Sequence, residues 1–258
     1  MYNVENTPMQ IFDAHTHIDM KHFKNDREKV IQRARDAGLV GMVTSSISPA
    51  SFRQTLGILK KHPDFIHLSA GCSVSQVTMS EAEQIISLIR KYSSQIVAVG
   101  EVGLDYHWVK DPRARKAQEP IFSKFIDLAT ELNLPIVIHS RKAELRATEM
   151  LESQFSGEVL MHCFDGPPAV AHRVADNGWF ITLPANFAKY RNRVRSAEIV
   201  PLEQLLLETD GPYLSPTQDR NEPANVRYGC ESLSQVLDLP LETIGVKTTN
   251  NAKRFYCL

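Results

Sequence analysis

Cysteine is scarce in this 258-residue chain, and the four present (Cys72, Cys163, Cys230 and Cys257) form no C-x-x-C pair. That spacing argues against a zinc site of paired thiolates and fits reduced thiols better than a disulfide framework. No apolar run approaches the roughly 18 residues that a membrane span requires. The first ten residues are polar and lack the apolar core of a secretory signal. An excess of either charge is also missing. Lys and Arg number 29 against 30 Asp and Glu, a formal charge of −1, which excludes a basic coat for non-specific DNA binding. No Gly/Ser/Pro-rich linker divides the chain, and no repeat of 20–50 residues recurs. These absences predict a cytoplasmic protein with one domain over residues 1–258, residues 1–8 being a flexible extension. They imply no membrane association and no obligate protein partner. What is present is ordinary globular composition, 43% hydrophobic and 23% charged. A chain this long buries roughly 70–75% of its unfolded surface and needs no staples.

The hydrophobic residues follow a rhythm of short apolar runs separated by longer helical patterns. The runs cover residues 9–14, 39–45, 65–71, 95–100, 134–138, 158–161, 179–183 and 205–207. Each is too short for a typical helix, and their near-continuous apolar character is that of strands covered on both faces. Between them, Ile121, Phe122, Phe125, Leu128, Ala129 and Leu132 fall on one helical face, ended near Asn133. Residues 27–37 and 80–92 read similarly, the latter with Ser80 and Glu83 as a capping box. Eight strands alternating with helices predict an α/β fold, a closed parallel (β/α)8 TIM barrel. An open doubly wound sheet with fewer strands is the competing architecture.

Five of the runs end in ionisable residues on their carboxyl side. They lead into Asp13-Ala14-His15-Thr16-His17, Gly100-Glu101, His139-Ser140-Arg141, His162-Cys163-Phe164 and Glu208-Thr209-Asp210. A barrel brings all the carboxyl ends to one mouth, where active sites lie. Side chains alternate along a strand, so His15 and His17 share a direction, with Asp13 and Glu208 one layer deeper. The set His15, His17, Glu101, His139, His162 and Asp210 can make two adjacent metal sites. Imidazole with carboxylate suits zinc, manganese, nickel or iron, whereas magnesium prefers mostly oxygen ligands. A lone histidine at a strand end is ordinarily structural, and His22, His62, His67, His107 and His172 read that way. Coincidence of six ligand-type residues at one mouth is what favours metal.

In these stretches the chain resembles the TatD family of metal-dependent deoxyribonucleases, within the amidohydrolase-like metal hydrolase barrels. The matching segments are Phe12–His17, Val99–Tyr106, Leu134–Arg141, His162–Phe164, Leu207–Leu214 and Arg220–Pro223, and the resemblance runs from about residue 10 to 255. It implies two divalent ions (zinc, manganese or magnesium), one held by His15, His17 and Asp210 and the other by His139 and His162, with Glu101 bridging. Two segments depart from the family pattern. Gly71-Cys72-Ser73-Val74 lacks the histidine usual there, so that a phosphate contact is either lost or replaced by Ser73 or Ser75, and Asp165 adds an acid at the mouth.

The implied activity is hydrolysis of DNA phosphodiesters, with the choice between DNA and RNA left open. In that scheme Asp210 and Glu101 are the catalytic residues, Asp210 acting as general base, while Asp13 and Glu208 orient imidazoles or, equally, bond backbone N–H groups. Arg141, Arg191, Arg193 and Arg220 are the candidate substrate-binding cations. Lys189 and Arg195 extend a basic cluster in which Phe187 and Tyr190 could stack bases. A solvated helix face explains the cluster as well, and a loop-fixing role explains Arg220. Two other functions fit parts of the pattern. One is hydrolysis of a small ester, lactone or amide in a closed apolar pocket with the same metals. The other is a non-catalytic metal-binding scaffold.

Overall fold

A computed structural model describes residues 10–258. The segment proposed as a flexible extension, residues 1–8, lies outside the described residues. Eight strands alternate with helices in the order β1 (Ile11–Thr16), α1 (Arg27–Asp36), β2 (Leu39–Ser46), α2 (Pro49–Leu59), β3 (Ile66–Ala70), α3 (Met79–Lys91), β4 (Ala98–Gly103) and α4 (Pro112–Leu132), followed by β5 (Ile136–His139), α5 (Glu144–Gln154), β6 (Val159–Met161), α6 (Pro168–Asp176), β7 (Phe180–Pro184), α7 (Arg191–Ile199), β8 (Leu205–Glu208), α8 (Val226–Leu237) and α9 (Leu241–Tyr256). Every neighbouring pair from β1 to β8 is parallel, in sequence order. All eight apolar runs are strands, and the architecture is the TIM barrel that their rhythm predicts.

Strand ends and helix caps show local physics at work. Asp111 accepts a hydrogen bond from the Ala114 N–H at 2.8 Å, with Pro112 in the first helical position of α4. Asn133 closes that helix in the left-handed conformation, at φ 51°. The capping box of α3 lies two residues earlier than the sequence predicts. Thr78, in extended geometry, exchanges bonds with Glu81, while Ser80 is already helical. Ser80–Glu83 has the right spacing, but only a non-helical residue can cap.

The larger apolar core fills the layer between strands and helices, with Phe52, Phe122, Phe125 and Phe187 fully enclosed. A smaller cluster, including Val43, Val137, Leu160, Phe180 and Leu206, joins Phe255 and Tyr256 of α9. Period two puts His139, His162 and Glu208 on the same faces as Val137, Leu160 and Leu206. The apolar cluster therefore forms a floor, and the polar residues stand on it. The last and first strands meet at their carboxyl ends: the Asp210 N–H donates to the His15 carbonyl at 2.9 Å and the His17 N–H to the Gly211 carbonyl at 2.8 Å.

Candidate metal centre

The barrel gathers His15, His17, Glu101, His139, His162 and Asp210 around the Glu101 carboxylate. Its Oε2 lies 3.4 Å from His15 Nε2 and 3.5 Å from His17 Nε2. Its Oε1 lies 2.8 Å from His139 Nδ1 and 3.4 Å from His162 Nε2. Each oxygen thus faces its own pair of imidazoles. Asp210 Oδ1 sits 3.4 Å from His17 Nε2 and 3.9 Å from His15 Nε2, on the first pair's side. Asp210 itself holds a left-handed backbone, φ 55°, a conformation that costs energy in a non-glycine residue and is typical of functional sites.

The imidazoles are aimed by groups behind them. His17 Nδ1 donates to the Ser45 carbonyl at 2.8 Å, which fixes the ring with Nε2 on the carboxylate side. Asp105 Oδ2 accepts from His139 Nε2 at 2.9 Å, while its Oδ1 accepts from the N–H groups of His107 and Trp108. Glu208 Oε2 lies 3.3 Å from His162 Nδ1 and accepts from the Thr182 hydroxyl at 2.5 Å. Glu208 therefore orients an imidazole. Asp13 does not: it accepts from the N–H and hydroxyl of Thr209, at 2.9 and 2.5 Å, and weakly from the His15 N–H. The β1–β2 ladder shifts register between Asp13 and Thr16.

Charge is arranged to favour cation binding. Burial pushes the Glu101 carboxyl up, but the His162 charge, the bond from His139 and the other imidazoles around it outweigh it and hold the pKa well below the usual carboxylate range. Burial likewise opposes ionisation of Asp210, and His17 overcomes it. Burial lowers His17 and His139, yet their carboxylate partners raise them to about 9 and about 8. His15 moves down, through burial and then repulsion by His162. Fully buried, His15 has no hydrogen-bond partner at either ring nitrogen. Such an orphan is costly in a protein interior. A divalent cation matches what these side chains lack, and three overlapping triads can receive one: His15, His17 and Glu101; Glu101, His139 and His162; and His15, His162 and Glu208.

A cleft of about 720 Å³ opens above the ligands, lined among others by His107, Trp108, Arg141, Asp165, Tyr190, Arg193 and Tyr213. Trp108, Tyr190 and Tyr213 are exposed there, and Trp108 keeps 67% of its surface. β5 ends at His139, so alternation does not carry on to Arg141. The following turn nevertheless brings that guanidinium to the cleft, 5.5 Å over the Trp108 ring. Arg193 also lines it. Arg191 does not, and Arg195 pairs with Glu198. Arg220 does not reach it either: it binds Asp26 and the His22 carbonyl and covers the Phe23 ring, fixing the loop after β8 to the turn before α1. Phe187 is fully buried and cannot stack a base. Ser73 and Ser75 do not line the cleft, whereas His107, read as structural, does. Asp105 is the functional-site neighbour that sequence reasoning passed over, although it stands four residues after Glu101.

A parallel barrel with imidazoles and carboxylates at its carboxyl mouth, focused on one shared glutamate, defines the class of metal-dependent hydrolases. Within that class, the chain belongs to the TatD-related DNase family, whose model matches residues 12–257. It is 32% identical over 256 residues to YabD, an uncharacterised metal-dependent hydrolase of Bacillus subtilis, covering 95% of this chain and 98% of that one. It is 29% identical to the 3'-5' ssDNA/RNA exonuclease TatD of Pantoea ananatis, covering 96% and 100%. The crystal structure of YJJV, a TatD homologue from Escherichia coli K12, superposes with a TM-score of 0.86 at 24% identity, over 96% of this chain and 98% of that one. No helix among the described residues is long and apolar enough to cross a membrane.

Proposed function

We propose that this protein is a metal-dependent nuclease that hydrolyses phosphodiester bonds of DNA, and of RNA where single strands reach the cleft. The observation that carries the proposal is the division of the Glu101 carboxylate, one oxygen toward His15 and His17 and the other toward His139 and His162. That geometry fits two divalent ions, the first held by His15, His17 and Asp210, the second by His139 and His162, with Glu101 between them. Bound there, such ions polarise a phosphoryl oxygen and lower the pKa of water toward neutrality. In this reading Asp210, whose Oδ1 lies 3.4 Å from His17 Nε2 and whose carboxyl stays ionised, takes the proton from the attacking water and later returns it to the leaving oxygen. Glu208 and Asp105 keep His162 and His139 turned toward Glu101. Arg141 offers a charged fork for a phosphate at the rim. Exposed Trp108, Tyr190 and Tyr213 offer stacking faces, which a single strand can use and a paired base cannot. Hydrolysis of a small neutral ester or amide has no use for the cations Arg141, Lys142 and Arg193 that line the cleft.

The test is hydrolysis of single-stranded DNA, double-stranded DNA and RNA by the purified protein with magnesium, manganese or zinc, beside the double variant His139→Ala/His162→Ala. Metal-dependent cleavage that disappears in the variant is the expected result. No cleavage with any of the three ions, despite bound metal, would refute the nuclease.

A further inference from the structure

Of the four basic residues between Lys189 and Arg195, one is unlike the rest. Arg193, in the first turn of α7, is only 7% exposed and yet lines the cleft. Arginine stays ionised at any physiological pH, and a buried charge is normally matched by a counter-charge. Arg193 has none: no carboxylate lies within ion-pairing distance of it among the described residues. Its Nη1 donates to the Asn186 side-chain carbonyl at 3.3 Å, long for an N–H···O bond, and its Nη2 donates to Cys163 Sγ, a weak acceptor, at 3.3 Å. Its Nε is buried and has no partner. The guanidinium lies 4.5 Å from the centre of the Tyr190 ring, which holds it in place without neutralising it. α7 also opens without a side-chain cap, because the hydroxyl of Tyr190 at the N-cap stands at the far end of the ring and cannot fold back on the first turn. A fixed positive charge and an uncapped helix start thus share one wall, and Cys163 links that wall directly to His162.

We propose that Arg193, Tyr190 and the first turn of α7 form a phosphate subsite next to the metal centre, which anchors a second phosphate of the nucleic acid while the first is hydrolysed. The inference rests on the nuclease reading for its substrate, but not for its chemistry, which requires only a phosphate group. That group can be a terminal phosphomonoester or the neighbouring phosphodiester of the same strand. The guanidinium supplies planar N–H donors to phosphate oxygens, and the backbone N–H groups of α7 supply more. Arg193 acts here in binding and positioning and takes no part in bond cleavage.

Two measurements test this, using Arg193→Met and Arg193→Lys in the metal-loaded full-length protein. The first is thermal unfolding with increasing inorganic phosphate, which needs no nuclease activity. Phosphate is expected to raise the wild-type Tm, and both variants to lose most of that rise. Because the charge is buried without a counter-charge, Arg193→Met alone is expected to leave the phosphate-free Tm unchanged or higher. The second is steady-state hydrolysis of a single-stranded oligonucleotide with and without a terminal phosphate. A KM raised at least tenfold in both variants is expected, with kcat affected less. Loss of the preference between the two oligonucleotides assigns the terminal group, and an equal KM rise for both assigns the internal one. Phosphate protection and KM that survive in Arg193→Lys and Arg193→Met overturn the subsite. So does a phosphate-free Tm that collapses in both variants, which marks a structural arginine. Protection by phosphate that depends on Arg193 in a protein without nuclease activity sustains the subsite and removes the nuclease.

Discussion

Glu101, at the scale of the single residue, is the point on which the centre turns, since it faces all four imidazoles at once. Glu101→Ala is expected to strip bound metal, read by elemental analysis, and to lower turnover by several orders of magnitude. Asp105 acts one step back. Asp105→Asn keeps the shape but removes the charge that holds His139, so metal affinity should fall about 10–100-fold. The same substitution leaves the turn at His107 and Trp108 its acceptor, which separates this effect from simple unfolding. With metal chelated away, His17 and His139, raised to about 9 and about 8, hold protons at neutral pH. Cations must displace those protons, so apparent metal affinity should rise as pH increases toward 9. Calorimetry in buffers of different ionisation enthalpy reads the release directly. The linked stability has the opposite sign: the chelated protein keeps the benefit of its protonated imidazoles below the unfolded value of about 6.5 and loses it as pH rises through 8 and 9. A chelated Tm that climbs over that range would contradict the assignment.

Secondary-structure elements matter to the site through how closely their backbones approach. A Cβ built on Gly71, just past β3, would lie 2.2 Å from the Glu101 carbonyl oxygen, a rigid backbone atom. Gly71→Ala is therefore expected to cost about 1–3 kcal/mol of stability, as overpacking does, and to lower metal content although residue 71 is no ligand. Denaturant melts with elemental analysis check both. The strands themselves were legible in the sequence, because a barrel strand is covered by floor and helices alike and so reads as an unbroken apolar run. Six ligand-type side chains were legible too, as ionisable residues ending those runs. Depth and partnership were not. Arg193 and Arg220 look alike in a sequence, and only packing shows that one is buried beside the cleft and the other tied to Asp26. Asp105 escaped notice because its meaning lies in His139, 34 residues away. Ser80 mimicked a cap that Thr78 provides, since spacing does not reveal which residue leaves helical geometry first.

For the whole molecule, near-zero net charge means that any attraction for nucleic acid is local. Three permanently basic side chains, Arg141, Lys142 and Arg193, line the cleft among acids such as Glu144 and Asp165. With about three phosphate contacts to a single strand, log K against log salt should have a slope of roughly −2, far shallower than a broad basic face gives. Fluorescence anisotropy on an inactive variant measures it, and a slope several times steeper would require a second binding face. The seam of the barrel has a consequence in time as well as in space. His15 and His17 come from the first strand and Asp210 follows the last, and their backbones bond to each other across the closure. A ribosome therefore synthesises the first two of the six ligand-type residues long before the last exists. The full set of six ligand-type side chains comes together only once β8 has been made and has closed the ring.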